Sequence, residues 1–471
     1  MGEVQSSGNF YDLLASRFAD DPGKPCFIAP TRSVSYGELE QGVGKIASLL
    51  IDRGVAPGDR IAAQTAKTPE AVMLYLATLK VGAAFLPLNT AYTEHEIRYF
   101  IDDAEPKMFV TDAEALAAEA LSFPALGRTT PRLGGDLAAI VYTSGTTGRS
   151  KGAMLSHDNL ASNACALNAA WGFSSGDVLL HALPIFHIHG LFIALHTALL
   201  SGASMMWLAK YEDQPVLDAL EQSTVMMGVP TFYHRLLANP AFTRASTAGV
   251  RLFISGSAPL LESTFDAFEA RCGHRILERY GMSEAGIICS NPLHGERLAG
   301  SVGFPLSETQ VRIAGGTGET GEIEIKGPGV FSGYWRMPEK TREEFTTDGF
   351  FRTGDVGRQD ADGRVWISGR AKDLIISGGY NVYPKEVEMV LDDLAGVIES
   401  AVIGVPHPDF GEAVVAVVVG EGEEAALIAQ ARERLAPFKA PKRIFFVEEL
   451  PRNTMGKVQK TLLRARHADC F

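Results

Sequence analysis

Between Ala138 and Leu160 the sequence reads AAIVYTSGTTGRSKGAMLSHDNL. A short β-branched run leads into three glycines (Gly145, Gly148, Gly152), three hydroxyl residues (Ser144, Thr146, Thr147) and two cations (Arg149, Lys151). Glycines let successive backbone N–H groups turn inward as an anion-binding nest, hydroxyls add donors, and the cations offset the charge of a polyphosphate. The segment therefore reads as a nucleotide-phosphate loop. It is not a Walker A motif, which needs glycine, lysine and a hydroxyl in immediate succession, whereas the order here is G-T-T-G-R-S-K-G. Nor does it carry the G-x-G-x-x-G of the dinucleotide-binding and kinase loops.

The surrounding pattern says what positions this loop. Up to about residue 370, short β-branched runs alternate with helical periodicity, the mark of layered α/β architecture with largely parallel strands. DRIAAQTAK reads as a strand, followed by a helix with Thr68 as N-cap, Pro69 at its first position and Glu70 in its first turn. STVMMGVP with TFYHRLLAN, and VRLFISGSAP with LLESTFDAFEARCG, repeat strand, turn and helix, the last helix closing at Gly273. From Asp348 the run DGFFRTGDVGRQDADGRVWISGR carries turn dipeptides between short strands, so β-hairpins, forming a barrel-like subdomain, are expected there. A boundary is expected near Gly369 to Asp373. The fold expected is α/β: a large N-terminal domain (1–370) of layered sheets plus the barrel-like part, and a small α+β C-terminal domain (371–471). From Pro437 to Phe471 eight Lys or Arg stand against three acids, which is either a solvated face or a site for an anionic cofactor.

YTSGTTGRSKG closely resembles the phosphate-binding motif of the adenylate-forming enzymes: acyl-CoA synthetases, firefly-type luciferases and peptide-synthetase adenylation domains. LKVGAAFLPLN, LPIFHIHG, VRLFISGSAPL, ERYGMSE, FRTGDVG, GRAKDLIISGGYNVYPKEVE and PRNTMGKVQK follow that family's order along essentially the whole chain. The resemblance implies a carboxylate that attacks ATP to give an acyl-adenylate and pyrophosphate, then a thioester with CoA, with Mg²⁺ as cofactor. It implies that Thr143, Ser144, Gly145, Thr146, Thr147, Gly148 and Lys151 cradle the phosphates. Gly256, Ser257, Ala258 and the run Glu278, Arg279, Tyr280, Gly281, Met282, Ser283 would line the nucleotide, with Tyr280 stacked on adenine. Ser283 stands where the family usually has threonine. Glu284, with Thr143, would hold the Mg²⁺. Asp355 would accept the ribose hydroxyls, supported by Arg370. Lys457 would reach the α-phosphate and the reacting carboxylate. The resemblance also implies that the C-terminal domain is mobile, with Lys372 as the hinge on which it turns between half-reactions. His187 would close the acyl pocket and, with Lys457 and Glu284, complete the catalytic set. The stretch before the phosphate loop, TDAEALAAEALSFPALGRTTPRLGGD, is shorter than the family usually shows.

GVPTFYHRLL, RLFISGSAPL, GYWRMPEKT and PRNTMGKVQK together resemble malonyl-CoA synthetases. A pocket for a dicarboxylate needs a fixed cation for the carboxylate that does not react, and a guanidinium fork suits it best. The resemblance assigns that task to Arg235, with Ser257. His189 and His196 read as core histidines with hydrogen-bond partners. The alternatives are a short- or medium-chain monocarboxylate:CoA ligase, for which Arg235 is incidental, and a free-standing adenylation enzyme that loads a carrier protein.

Composition fits this picture. The 471 residues carry 43 Lys or Arg against 56 Asp or Glu, a formal charge of −13, which argues against a nucleic-acid partner and makes any cationic site local. The uncharged stretch from Val178 to Ala209 is broken by Pro184, Gly190, Gly202 and four histidines, so it reads as buried core and not a membrane span. Five scattered cysteines without metal-ligand spacing read as free thiols, and no targeting pattern is visible at the start, so the cytoplasm is the expected location. Small-molecule partners and a monomer or weak dimer are expected.

Overall fold

A computed structural model of the protein describes residues 8–30, 32–143, 150–316, 318–377, 380–453 and 456–471. Two sheets carry the large domain. In one, strands Met108–Val110, Arg60–Ala63, Ala84–Pro87 and Leu137–Thr143 run parallel, and Lys151–Ser156 and Gly333–Tyr334 continue antiparallel. In the other, Pro25–Ile28, Ser204–Trp207, Val178–His181, Val225–Gly228, Leu252–Ser255 and Leu277–Met282 lie side by side in parallel. Parallel strands must be covered on both faces, and their sequences are correspondingly apolar.

Helices fill the space between the sheets. Pro69–Lys80 begins as its sequence indicates, the Thr68 side chain accepting from the Ala71 N–H and Pro69 in the first turn. Every residue from Ala71 to Lys80 is buried, because this helix meets apolar side chains of both sheets in one continuous core. Glu262–Cys272 closes at Gly273, whose φ of +81° is the left-handed conformation glycine adopts without strain. The stretch from Val178 to Ala209 is strand, π-helix (His189–Ala194), helix (Leu195–Ser201) and strand, almost all buried. Among the described residues no helix is long and apolar enough to cross a membrane.

The hairpin-rich segment continues the second sheet. Strands Gly286–Ser290, Ser301–Pro305, Val365–Arg370, Phe351–Gln359, Gly321–Lys326 and Gln310–Ile313 follow antiparallel, with register shifts that bend the path. After the short 3₁₀ turn Ala371–Asp373 a separate unit begins. The long hairpin Val397–His407 and Gly411–Gly420 forms its centre, flanked by Ile375–Ser377, Tyr380–Val382 and the parallel strand Arg443–Val447. Two apolar clusters, both made only of residues beyond 374, cover the two faces of this sheet. The basic tail is largely neutralised within the unit: Lys439 meets Glu386, Arg443 meets Glu424, Arg452 meets Glu399, Lys460 meets Glu388 and Arg464 meets Asp373. For those five cations the structural reading of the run prevails over a cofactor site.

Candidate active site

The phosphate loop joins two antiparallel strands, with Thr143 and Lys151 facing each other across the ladder at its base. Ser144, Gly145, Thr146, Thr147, Gly148 and Arg149 lie outside the described residues. At the base, Glu284 accepts hydrogen bonds from the Tyr334 hydroxyl at 3.1 Å and the Thr143 hydroxyl at 3.4 Å. Its carboxyl is pushed up by burial, against the pull of Tyr334, Arg370 and Lys151. Lys151 lies 3.3 Å from Glu344 and 4.1 Å from the Tyr334 ring centre. A buried carboxylate beside a hydroxyl and a phosphate loop suits a Mg²⁺ that draws its other ligands from phosphate and water. Among the described residues no cluster of three or more His, Cys, Asp or Glu could hold a metal.

Asp355 and Arg370 are register partners on adjacent strands, which places their side chains together at an ion-pair distance of 2.6 Å. Asp355 is 3% exposed, and the Tyr280 hydroxyl donates to its other oxygen. Tyr280 is thus fixed by its hydroxyl, leaving the ring as the part able to face a base. Lys457, from the C-terminal unit, comes into the field of the same pair: desolvation lowers the basicity of its amine, Arg370 and Lys372 lower it further, and Asp355 and Asp373 oppose them. Gly456 lies near Thr231 in the first turn of helix Pro230–Ala238. Lys372 is exposed in the 3₁₀ turn between the units, and its neighbour Asp373 pairs with Arg464 at 2.7 Å. The structure therefore brings Lys457, Arg370, Asp355 and Tyr280 to one place.

The carboxyl ends of the parallel strands form the other half of the site, where open α/β sheets bind ligands. Ser257, just past strand Leu252–Ser255, has φ +71°, a conformation costly for a residue with a Cβ and typical of functional turns. Its hydroxyl lies 3.1 Å from His189 Nδ1, and the His189 backbone N–H donates to His187 Nδ1 at 3.2 Å. That bond leaves Nε2 as the proton-bearing nitrogen of His187. Burial and then Arg279 push His187 down to about 4, so it is neutral at physiological pH. His189 thus belongs to the site, whereas His196 is a core histidine bonded to the Tyr75 hydroxyl at 2.8 Å.

Arg279 is the unusual member. It is 6% exposed, and its Nε and Nη2 are buried without a hydrogen-bond partner. Burial pushes it down to about 10, so it keeps its charge at neutral pH. A Cβ at Gly256 would come within 2.3 Å of its guanidinium carbon, so a larger residue there would displace the guanidinium. Glu278, its neighbour on the strand, is pushed up to about 8 by burial and accepts from the Gly300 N–H at 3.2 Å. Adjacent strand residues point to opposite faces. Ala258 follows Ser257 half-buried. Gly281 and Met282 end the strand in a tight hairpin, and Ser283 lines an interior cavity of about 20 Å³ with Phe192 and His196.

Arg235 sits differently from its expected place. In the last turn of helix Pro230–Ala238 its side chain is 47% exposed, 3.0 Å from Asp213 and 4.4 Å above the Tyr211 ring. A half-exposed cation already paired with a carboxylate offers little free field to a substrate. Among the described residues the buried cation without a partner is Arg279, which motif matching grouped with the nucleotide. The available signal was an arginine inside a strand of a sheet otherwise buried, where charge is rare without a purpose.

A family model for AMP-binding enzymes matches residues 14–335, and one for the AMP-binding enzyme C-terminal domain matches residues 386–457. The chain belongs to the AMP-binding enzyme family. Its large layered domain and small C-terminal domain form the fold of adenylate-forming enzymes. It is 34% identical to the malonate–CoA ligase of Arabidopsis thaliana, over 97% of this chain and 89% of that protein. It is 35% identical to the sulfoacetate–CoA ligase of Cupriavidus necator, over 96% of each. Among solved structures, ATP-bound MatB from Rhodopseudomonas palustris is 49% identical, covering 98% of this chain and 99% of that one, with a TM-score of 0.95. The apo form of the same protein gives 0.86 at the same identity, so the arrangement here is nearer the ATP-bound one.

Proposed function

We propose that this protein is an AMP-forming acid–thiol ligase that activates a small dianionic acid, malonate first and methylmalonate as a close variant, and passes it to CoA. The observation that carries the reading is Arg279. A pocket for a monocarboxylate needs only apolar walls, and a buried guanidinium with unpartnered N–H groups destabilises the resting protein. A second carboxylate on the substrate offsets that cost through a charge-assisted fork. Ser257 and the Nε2–H of His187 supply further donors beside it. Relatives named for malonate and for sulfoacetate, both acids with a second acidic group, support the same reading.

In the first step a malonate oxygen attacks the α-phosphorus, the bond to the β-phosphate bridge breaks, and pyrophosphate leaves. Lys457 and Arg370 neutralise charge at the α-phosphate, Lys151 and the Thr143–Gly148 loop hold the departing phosphates, and Asp355 takes the ribose hydroxyls, work done by position and electrostatics. Mg²⁺, held by Glu284 and Thr143, would neutralise phosphate charge. In the second step the CoA sulfur attacks the acyl carbon and the bond to AMP breaks. Residues 371–471 turn about Lys372 between steps, withdrawing Lys457. The test is pyrophosphate release with malonate, methylmalonate, sulfoacetate and butyrate, with and without CoA. Malonate turnover with malonyl-CoA as product is expected. Equal rates with butyrate would remove the dianion, and product only on a carrier protein would remove CoA.

A further inference from the structure

Lys67 lies just before the N-cap of helix Pro69–Lys80, and its amine crosses from the first sheet to the second. There it meets His181 Nδ1 at 2.9 Å, the His181 carbonyl at 2.7 Å and the Leu208 carbonyl at 2.6 Å, 4.4 Å from the Trp207 ring centre. His181 and Trp207 end two neighbouring parallel strands. Among the described residues no carboxylate pairs with Lys67. His181, 1% exposed, places Nε2 3.0 Å from the Gly190 carbonyl.

Counting protons decides the charge of this group. The Lys67 amine faces two carbonyls and one imidazole nitrogen, and the other imidazole nitrogen faces a third carbonyl. Every contact is satisfied if Lys67 is an ammonium donating three bonds and His181 is neutral with its proton on Nε2. It is equally satisfied if Lys67 is an amine and His181 is protonated twice. Either way the pair carries one positive charge, with Trp207 as its π partner.

Gly190 is where this charge reaches the acyl pocket. It is the second residue of the π-helix His189–Ala194, and such turns occur frequently at functional sites. A Cβ on Gly190 would come within 2.1 Å of the Pro184 carbonyl, and its own N–H donates to the His187 carbonyl at 3.1 Å. The turn that carries His187 and His189 is therefore held at Gly190 both by packing against Pro184 and by His181. His181 also stands among the groups that hold His189 neutral, after burial, Arg279 and His187.

We propose that Lys67 and His181 form a positioning pair for the acyl pocket: a shared buried cation that fixes the Gly190 carbonyl, and with it the His187–His189 turn, against Ser257. The inference rests on the proposed function for the identity of the acid.

The experiment is steady-state kinetics on the full chain. Lys67→Met is expected to raise the malonate KM by about tenfold or more while leaving the ATP KM within about twofold, because only the acyl side loses its support. His181→Asn, which places its amide near Nδ1 and abandons Gly190, should do the same. His181→Gln, whose amide replaces the Nε2 donor, should recover malonate KM to within about threefold of wild type. An unchanged malonate KM in Lys67→Met overturns the proposal, as does a parallel loss in both substrates. Should Lys67→Met fail to fold, equal behaviour of His181→Asn and His181→Gln overturns it. Wild-type substrate preference is measured first. If another acid supports pyrophosphate release, its KM is the readout, so failure of the malonate reading is distinct from failure of the pair.

Discussion

Replacing Arg279 by methionine removes the guanidinium and keeps a long, flexible apolar side chain beside Gly256. Two opposite effects follow. In the free enzyme the charge is held against burial that lowers the Arg279 pKa to about 10, a cost of about 3 kcal/mol. Its removal should leave the free enzyme as stable as wild type or raise its melting temperature by a few °C. In the proposed complex the spare carboxylate of malonate would lose its partner in a dry pocket, at a cost of about 2 to 5 kcal/mol, or about 30- to 4000-fold in affinity. Pyrophosphate release against malonate concentration measures the second effect, and thermal unfolding with and without malonate measures the first. Arg235→Met is the control: its exposed pair with Asp213 is worth about 0 to 1 kcal/mol, so a change below about fivefold is expected. The reasoning is refuted if Arg279→Met binds malonate within threefold of wild type, or if Arg235→Met is the more damaging of the two.

Lys457→Ala should lower malonyl-AMP formation by about 100- to 1000-fold and leave thioester formation from supplied malonyl-AMP within about threefold; equal loss in both steps would contradict its withdrawal between half-reactions. His157 and His196 are buried and His187 is half-buried; all three are neutral, held down from 6.5 to about 4, about 3 and about 4 respectively, mainly by loss of solvent. The unfolded chain takes up protons below about pH 6.5 and the folded chain does not, so stability present above that pH is lost as pH falls toward 4, by up to about 3 kcal/mol for His187. Denaturant midpoints that stay constant from pH 7 to pH 5 would count against this. Ser283→Thr should fill part of the small cavity shared with Phe192 and His196 and stabilise the protein by up to about 1 kcal/mol. A lower melting temperature would mean the extra methyl clashes.

Much of this protein is legible in its residue order because the relevant forces are local. Thr68 and Pro69 start a helix and Gly273 ends one through bonds and φ preferences within a few residues. The same holds for Asp355 and Arg370, joined by one short hairpin turn and one register. The motif order adds the family, and with it the positions of Glu284 and Lys457. Burial is not local. Arg235 and Arg279 are the same residue type in apolar surroundings of sequence, yet one is half exposed against Asp213 and the other enclosed without a partner. Whether a side chain meets water depends on which distant strands and helices cover it, and the strength of a charge depends on that dielectric. Lys67 finds His181 across 114 positions of chain, and the cations of the basic tail find carboxylates as far away as Asp373. Chemistry readable as a list of groups became a proposal about substrate only when packing enclosed Arg279 without a partner.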